Sequence, residues 1–220
     1  MKASRGRLIV FEGVDAAGKT TLCKELCTSL RRERRIVRHC RFPGTRQGTL
    51  GELVYRIHHL HSSEFGVPTI DPCSLQLLHI AAHVDAIESE IKPALRDGEW
   101  VVLDRFWWST YVYGLDDGVR KSQLQLMINV EKAAWGSILP DILFLVDSAT
   151  PLRDDETNSC AWQRKRQTYK RLAARKEYMH KCVRLETGKG NNVKHRVMAE
   201  IREAVAALSS GIKGSCGVEQ

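Results

Sequence analysis

Between residues 13 and 21 the chain reads Gly13-Val14-Asp15-Ala16-Ala17-Gly18-Lys19-Thr20-Thr21. Gly13 and Gly18 carry no side chain, so the backbone between them can approach an anion closely and turn its N–H groups inward. Lys19 supplies a point charge suited to β and γ phosphates, and Thr20 a hydroxyl suited to Mg²⁺. The spacing is that of a phosphate-gripping loop, and such a loop works in one setting only. A strand must deliver it, and a helix must open behind it so that the partial positive charge of the helix N-terminus completes the cup. The apolar run Leu8-Ile9-Val10-Phe11 precedes the loop and a helical pattern opens near Lys19, so both conditions are met. Residues 13 to 21 are therefore expected to hold a nucleoside triphosphate.

The rest of the chain alternates strand and helix patterns. Leu8–Phe11 and Val37–Phe42 read as buried strands separated by a helix from Lys19 to about Arg34, a βαβ unit that implies a parallel sheet. Thr49–His61 reads as a helix, and Ser62–Pro72, with Gly66, Pro68 and Pro72, as a loop. Ser74–Arg96 reads as one long helix bent at its end by Pro93 and stopped by Gly98. Trp100–Leu103 is a further strand, Lys121–Ser137 a helix and Ile142–Val146 a strand. The composition then turns polar, and residues 151–175 are expected to form a mobile segment rather than core. A short strand at Val183–Leu185, a helix at Val193–Leu208 and a frayed tail from Gly211 complete the pattern. The expectation is a single domain over 1–220 with a P-loop NTPase-type three-layer α/β/α fold and a mostly parallel five-stranded sheet.

Three further groups carry chemistry. Arg41-Phe42-Pro43-Gly44 follows the second strand, and Asp104-Arg105-Phe106 follows the third. Strand ends at the carboxyl edge of such a sheet are where ligands bind, and charges at the tip of an apolar strand need partners. Phosphates and Mg²⁺ would supply them. His79 and His83 lie one helical turn apart on one face, which fits a metal site or buried hydrogen-bonded histidines. Trp107 and Trp108 fit either the core or an acceptor base.

Composition narrows the setting. The 220 residues carry a formal net charge of +8, compatible with nucleic acid, a membrane surface or acidic small substrates. Arg31-Arg32-Glu33-Arg34-Arg35 ends the first helix, where cations complement the dipole. No stretch is apolar enough to span a bilayer and no signal-peptide core precedes the first strand, so the expectation is a cytoplasmic protein. The seven cysteines form no C-x-x-C pair and read as reduced thiols, a metal site at Cys23 and Cys27 being the alternative.

In order along the chain, Phe11 to Thr21, Arg41-Phe42-Pro43-Gly44, Asp104-Arg105-Phe106, Ser109 and Tyr111-Val112-Tyr113-Gly114 resemble the thymidylate kinases, a family of P-loop nucleoside monophosphate kinases. The resemblance is closest up to about Asp147. It implies transfer of the ATP γ-phosphoryl to dTMP, giving dTDP and ADP, with Mg²⁺ held by Thr20 and Asp104, partly through water. It further implies catalytic roles for Lys19, Arg105 and Asp15, the Asp15 carboxylate lying near the sugar of the monophosphate and Arg105 bridging the two sets of phosphates. Asp15, Arg41, Phe42, His79, His83, Asp104, Arg105, Ser109 and Tyr113 would bind the acceptor. The family usually carries an aromatic ring near His79 or Ile80 and an arginine where His83 stands, so the base is read differently here. Another or modified pyrimidine nucleotide, or a nucleoside, is therefore a second acceptor reading. Residues 151–175 stand where the family has a lid, with Arg153, Arg164, Lys165 and Arg166 as candidate cations. The resemblance also implies a homodimer whose partners are small-molecule nucleotides. The reading of another class, a P-loop regulatory or nucleic-acid-associated protein, rests on the basic balance alone.

Overall fold

β1 (Leu8–Glu12) is buried at every position, as a strand covered on both faces must be, and it forms the middle of the sheet. Leu8, Ile9, Val10 and Phe11 have no exposed surface, and burial of each such side chain contributes about 1.5–3 kcal/mol. The computed structural model describes residues 6–59, 65–67, 69–154, 157–175, 177 and 181–210. The strands run in the order β2 (Val37–Arg41), β3 (Trp100–Asp104), β1, β4 (Ile142–Ser148) and β5 (Cys182–Thr187), and every pairing is parallel. From β1 the chain crosses over to β2, returns to β3, and only then moves to the other side. The strand order therefore switches at β1, and the crevice beyond its carboxyl end is where an open parallel sheet binds ligands.

The register aligns the site. Phe11 pairs with Asp104, Arg41 also pairs with Asp104, and Glu12 pairs with Leu145, so the tips of β1, β2 and β3 end side by side. α1 (Lys19–Arg32) packs on β1, β2 and β3, and α8 (Asn191–Ser210) packs on α1 and β5. α2 (Leu50–His59) lies against α3 (Pro72–Ala86), whose N-cap Asp71 accepts from the amides of Cys73 and Ser74 at 2.9 and 3.3 Å. α5 (Trp107–Asp116), α6 (Lys121–Trp135) and α7 (Cys160–Ala173) complete the helical layers. The expected α/β/α fold is the one observed, with the sheet wholly parallel.

Three segments differ from the sequence reading. The expected helix over residues 74–96 begins at Pro72, passes through a π-helical turn at Ile87–Ile91 and ends as the short α4 (Lys92–Arg96), with Pro93 near its start. Proline lacks the N–H an α-helix needs, and the change of winding lies directly before it. α5 has no polar N-cap of its own and an apolar, Trp-rich start, so nothing local announced it; its cap comes from β1. Residues 160–173 form a helix, where a mobile segment was expected. Trp162, Tyr169 and Leu172 form a narrow apolar stripe that is fully buried, Ser159 caps the helix by accepting from Trp162 N at 3.1 Å, and the remaining polar residues lower the average that suggested mobility. Trp107 and Trp108 are 3% and 0% exposed and belong to the core. The expectations for residues 60–64, Pro68, Asp155, Glu156, Cys216 and the tail from Gly211 lie outside the described residues.

Candidate active site

The phosphate loop takes the shape its glycines allow. Gly13 and Gly18 have φ of +145° and +99°, and a Cβ on Gly13 would collide with the carbonyl oxygen of Val146. Gly18 is the N-cap of α1. Val14 and Ala17 point into the core, so they offer a ligand only their backbone, whereas Asp15, Ala16, Gly18, Lys19, Thr20 and Thr21 line a cleft of about 390 Å³, within the range of small-molecule sites. Lys19 is 5% exposed, and its ammonium donates to the carbonyl oxygens of Gly13 and Val14 at 2.7 and 2.9 Å. Burial, followed by the charge of Arg105, pushes its pKa down to about 8. Arg153 and Leu152 line the same cleft, as do Asn191 and Lys194 at the start of α8. The loop is braced by Leu152 N donating to Ala16 O at 2.8 Å and by the Thr187 hydroxyl donating to Ala17 O at 2.9 Å.

At the tip of β3, Asp104 is 1% exposed. Its Oδ2 accepts from the Thr20 hydroxyl at 2.6 Å, while its Oδ1 is buried without a hydrogen-bond partner among the described residues. A buried carboxylate oxygen left unsatisfied beside a phosphate loop is a place for a hard cation and its water, so the donor set fits Mg²⁺.

Arg105 follows with φ +77°, a conformation that turns its side chain across the crevice. Its guanidinium forms an ion pair with Asp15, reaches Ser109 Oγ at 3.3 Å and sits 5.3 Å from the Tyr113 ring. The Tyr113 hydroxyl donates to Asp15 Oδ2 at 2.6 Å. Burial acts to raise the Asp15 pKa, but the charges of Arg105 and Lys19 and the Tyr113 hydrogen bond outweigh it and hold the carboxyl well below its usual range.

A second cavity adjoins the first and shares Asp15, Arg41 and Arg105 with it. Its other walls are Phe42, Pro43, Tyr55, His58, His59, Gln76, His79, His83, Ser109, Thr110 and Tyr113. Arg41 leaves the end of β2 with its guanidinium 5.9 Å from the Tyr55 ring. His83 is 3% exposed, stacks on Phe42 with centroids 4.1 Å apart, and shares a 2.8 Å hydrogen bond from Nδ1 to Glu131 Oε2. His79 Nε2 lies 3.1 Å from His58 Nδ1. Burial, reinforced by the neighbouring histidines and Arg105, holds the His79 pKa far below normal, so its ring is neutral. No group of three metal-binding side chains occurs among the described residues, so neither the paired histidines nor Cys23 and Cys27 gather a metal's ligands.

The structure thus brings together the loop, Asp15, Arg41, Phe42, His79, His83, Asp104, Arg105, Ser109, Tyr113 and Arg153. Arg164 and Arg166 line neither cavity. Arg164 pairs with Asp116 at 3.1 Å, and Arg166 is held by Asp147 at 2.5 Å, because α7 is packed on β4 instead of hanging over the cleft. Lys165 lies nearer, 5.1 Å from the Tyr113 ring. Sequence reasoning missed Glu12, Thr110, Glu131, Trp162 and Tyr169. Glu12 is wholly buried: Oε1 accepts from the amides of Phe106 and Ser109 at 2.8 and 3.0 Å, capping α5, and Oε2 accepts from the Ser109 hydroxyl at 2.8 Å. Ser109 Oγ is in turn 2.9 Å from the Tyr169 hydroxyl, and Trp162 Nε1 donates to Asp15 O at 2.9 Å. A carboxylate at the end of an apolar strand was the available signal for Glu12. The others depend on which helices meet.

Two anion-ready cavities that share an arginine wall, only one of them floored by a phosphate loop, define a P-loop kinase that serves two nucleotides. Known proteins agree. The sequence pattern of the family "Thymidylate kinase" matches residues 11–204. A thymidylate kinase of Bradyrhizobium diazoefficiens is 30% identical over 96% of this chain and 95% of its own length. One of Chlorobium luteolum is 36% identical over 64% of this chain, and the match spans 61% of that protein. The crystal structure of a thymidylate kinase from Ehrlichia chaffeensis superimposes with a TM-score of 0.70 at 25% identity, covering 92% of this chain and all of that one. The chain belongs to the thymidylate kinase family.

Proposed function

We propose that this protein transfers the γ-phosphoryl of ATP to dTMP, giving ADP and dTDP. The observation that carries this reading is the wall common to the two cavities, where Asp15 and Arg105 form an ion pair beside Arg41. A triphosphate in the loop would extend its γ end toward that wall, and a monophosphate gripped by Arg41 would approach it from the other side. Phosphoryl transfer passes through a state with charge spread over the equatorial oxygens, so cations fixed before the reaction do most of the work. Lys19, Arg41, Arg105, Arg153 and Lys194 are the cations that line the cleft among the described residues. Arg105 is held in place by Asp15 and cannot collapse into solvent when the site is open. Arg105 and Lys19, with the Tyr113 hydrogen bond, keep Asp15 ionised, and Tyr113 orients it toward the acceptor's sugar. Thr20 and Asp104 would hold Mg²⁺, which when bound supplies charge neutralisation at the β and γ phosphates. Ser109, bonded to Glu12, fixes the start of α5 and with it the acceptor wall.

A second copy of the chain would cover Leu77, Leu126 and Val130, which are 52%, 67% and 55% exposed on the contacting helices α3 and α6, so we propose a homodimer. The six cysteines among the described residues are free thiols, in keeping with a reducing, cytoplasmic setting; no helix among the described residues is long and apolar enough to cross a membrane. ADP release measured across a panel of nucleoside monophosphates tests the reading. dTMP should give the largest kcat/KM, and a purine monophosphate as the preferred acceptor would overturn it.

A further inference from the structure

Every carbonyl oxygen of the phosphate loop from Gly13 to Ala17 is held, and the groups that hold them come from distant parts of the chain. The Lys19 ammonium holds those of Gly13 and Val14. Trp162 Nε1 of α7 donates to Asp15 O at 2.9 Å, Leu152 N donates to Ala16 O at 2.8 Å, and the hydroxyl of Thr187, the last residue of β5, donates to Ala17 O at 2.9 Å. The peptides of the loop are trans, so each is planar with its C=O and the following N–H pointing in opposite directions. Whatever holds a carbonyl oxygen therefore also aims the next amide.

Asp15 O shares its peptide with Ala16 N, Ala16 O with Ala17 N, and Ala17 O with Gly18 N. The middle amide is spent inside the loop, since Ala17 N donates to Val14 O at 3.3 Å. The amides of Ala16 and Gly18 donate to no atom of the described residues, and both residues line the first cavity. The two peptides with an unspent N–H are thus the two that side chains hold, those of Trp162 and Thr187. We infer that Trp162 and Thr187 are positioning residues for phosphate binding: by holding Asp15 O and Ala17 O they aim the amides of Ala16 and Gly18 into the cleft before a nucleotide arrives, so that α7 and β5 set part of the loop's grip on the terminal phosphates of a nucleoside di- or triphosphate.

This inference rests on the reading of the first cavity as the ATP site. The backbone shows why the loop needs to be held. Ala16 has φ +60°, a left-handed conformation that a residue with a Cβ keeps only where its surroundings impose it. Trp162 fixes the peptide before Ala16 and Leu152 fixes the one after it. Trp162 is 1% exposed and lines neither cavity, so its indole touches no nucleotide, and its effect on binding passes through Asp15 O. The acceptor side is held separately, because the Asp15 carboxylate is bound by Arg105 and by the Tyr113 hydroxyl. Removing the indole N–H therefore separates the two nucleotides: the loop loses an aimed amide while Arg41 and Arg105 keep their places.

Trp162→Phe keeps an aromatic ring in the buried stripe of α7 and removes the N–H, and Thr187→Val keeps the shape of the side chain and removes the hydroxyl. Calorimetric titration of wild type and both variants with MgADP, and separately with dTMP, should show the dissociation constant of MgADP rising by about tenfold in each variant while that of dTMP stays within about twofold. In steady-state kinetics the KM for ATP should rise and the KM for dTMP stay in place. Equal losses on both ligands, or no loss on either, would mean that the two side chains are merely structural and would overturn the inference while leaving the kinase reading intact. A wild-type protein that binds no MgADP would instead sink the reading of the first cavity. A measurement on the wild type stands apart from the folding of the variants. When MgADP is added to ¹⁵N-labelled protein, the amide protons of Ala16 and Gly18 should move downfield and that of Ala17 should stay near its place; an Ala17 amide that moves as far as the other two would refute the proposal.

Discussion

Glu12 joins β1 to α5, and its burial makes the fold sensitive to pH. Its carboxyl has no exposed surface, and burial raises its pKa from 4.5 to about 7 despite three hydrogen bonds and the charges of Arg105 and Lys19. Between those two values the folded protein holds a proton that the unfolded chain has released. The native state then binds more protons than the unfolded state, so stability falls as pH rises through the interval and levels off above it. The difference between 4.5 and about 7 corresponds to about 3 kcal/mol, a large part of the stability of a domain this size. Glu12→Gln should remove that dependence while keeping the cap. The amide oxygen can accept from Phe106 N and Ser109 N, and the amide N–H₂ can donate to Ser109 Oγ, which then donates to Tyr169. Urea unfolding of both proteins from pH 4.5 to 8 is the assay, with the difference in unfolding free energy plotted against pH so that other carboxylates cancel. The variant should gain on the wild type by about 3 kcal/mol between the ends of the range. A difference that stays flat would refute the claim that burial dominates at Glu12.

Lys19→Ala removes a positioned cation from the phosphate loop and should lower kcat/KM by roughly a hundred- to thousandfold, measured by coupled ADP release, while the melting temperature stays close to wild type because a desolvated charge is lost with it. Asp104→Asn keeps the shape beside Thr20 but removes the charge that would face Mg²⁺, and should raise the Mg²⁺ concentration for half-maximal turnover by tenfold or more in a Mg²⁺ titration at saturating ATP. Asp147→Ala leaves Arg166 and Lys170 of α7 and Arg184 of β5 without the carboxylate they surround, and should destabilise the protein by about 1–3 kcal/mol in urea unfolding.

The legibility of the site varied with how local each feature is. The phosphate loop is fixed within nine residues by two glycines with positive φ and the strand and helix on either side, so spacing alone revealed it. Asp104-Arg105 and Arg41 were legible because a charge at the tip of a buried strand has few purposes other than a ligand. The cap of α5 was not legible, since Glu12 and Ser109 are 97 residues apart and only the pairing of β1 with β3 brings them together. The same holds for α7: its stripe of three apolar residues is too sparse to outweigh the charges around it, and it becomes a core helix only where it meets β4 and α5.

The linear chain by itself determined the α/β class, the parallel sheet, the glycine-bounded loop and the charged residues that line the cleft, because strand and helix periods and glycine geometry act over a few neighbouring residues. Tertiary structure alone decided which charges are usable. It placed Arg105 against Asp15 and left an oxygen of Asp104 unsatisfied beside Thr20, whereas Arg166 was bound by Asp147 away from the cleft. It also set a buried glutamate of α6 against a histidine of α3 in the wall of the second cavity. Burial and charge pairing depend on distances across the fold, and sequence separation does not encode them.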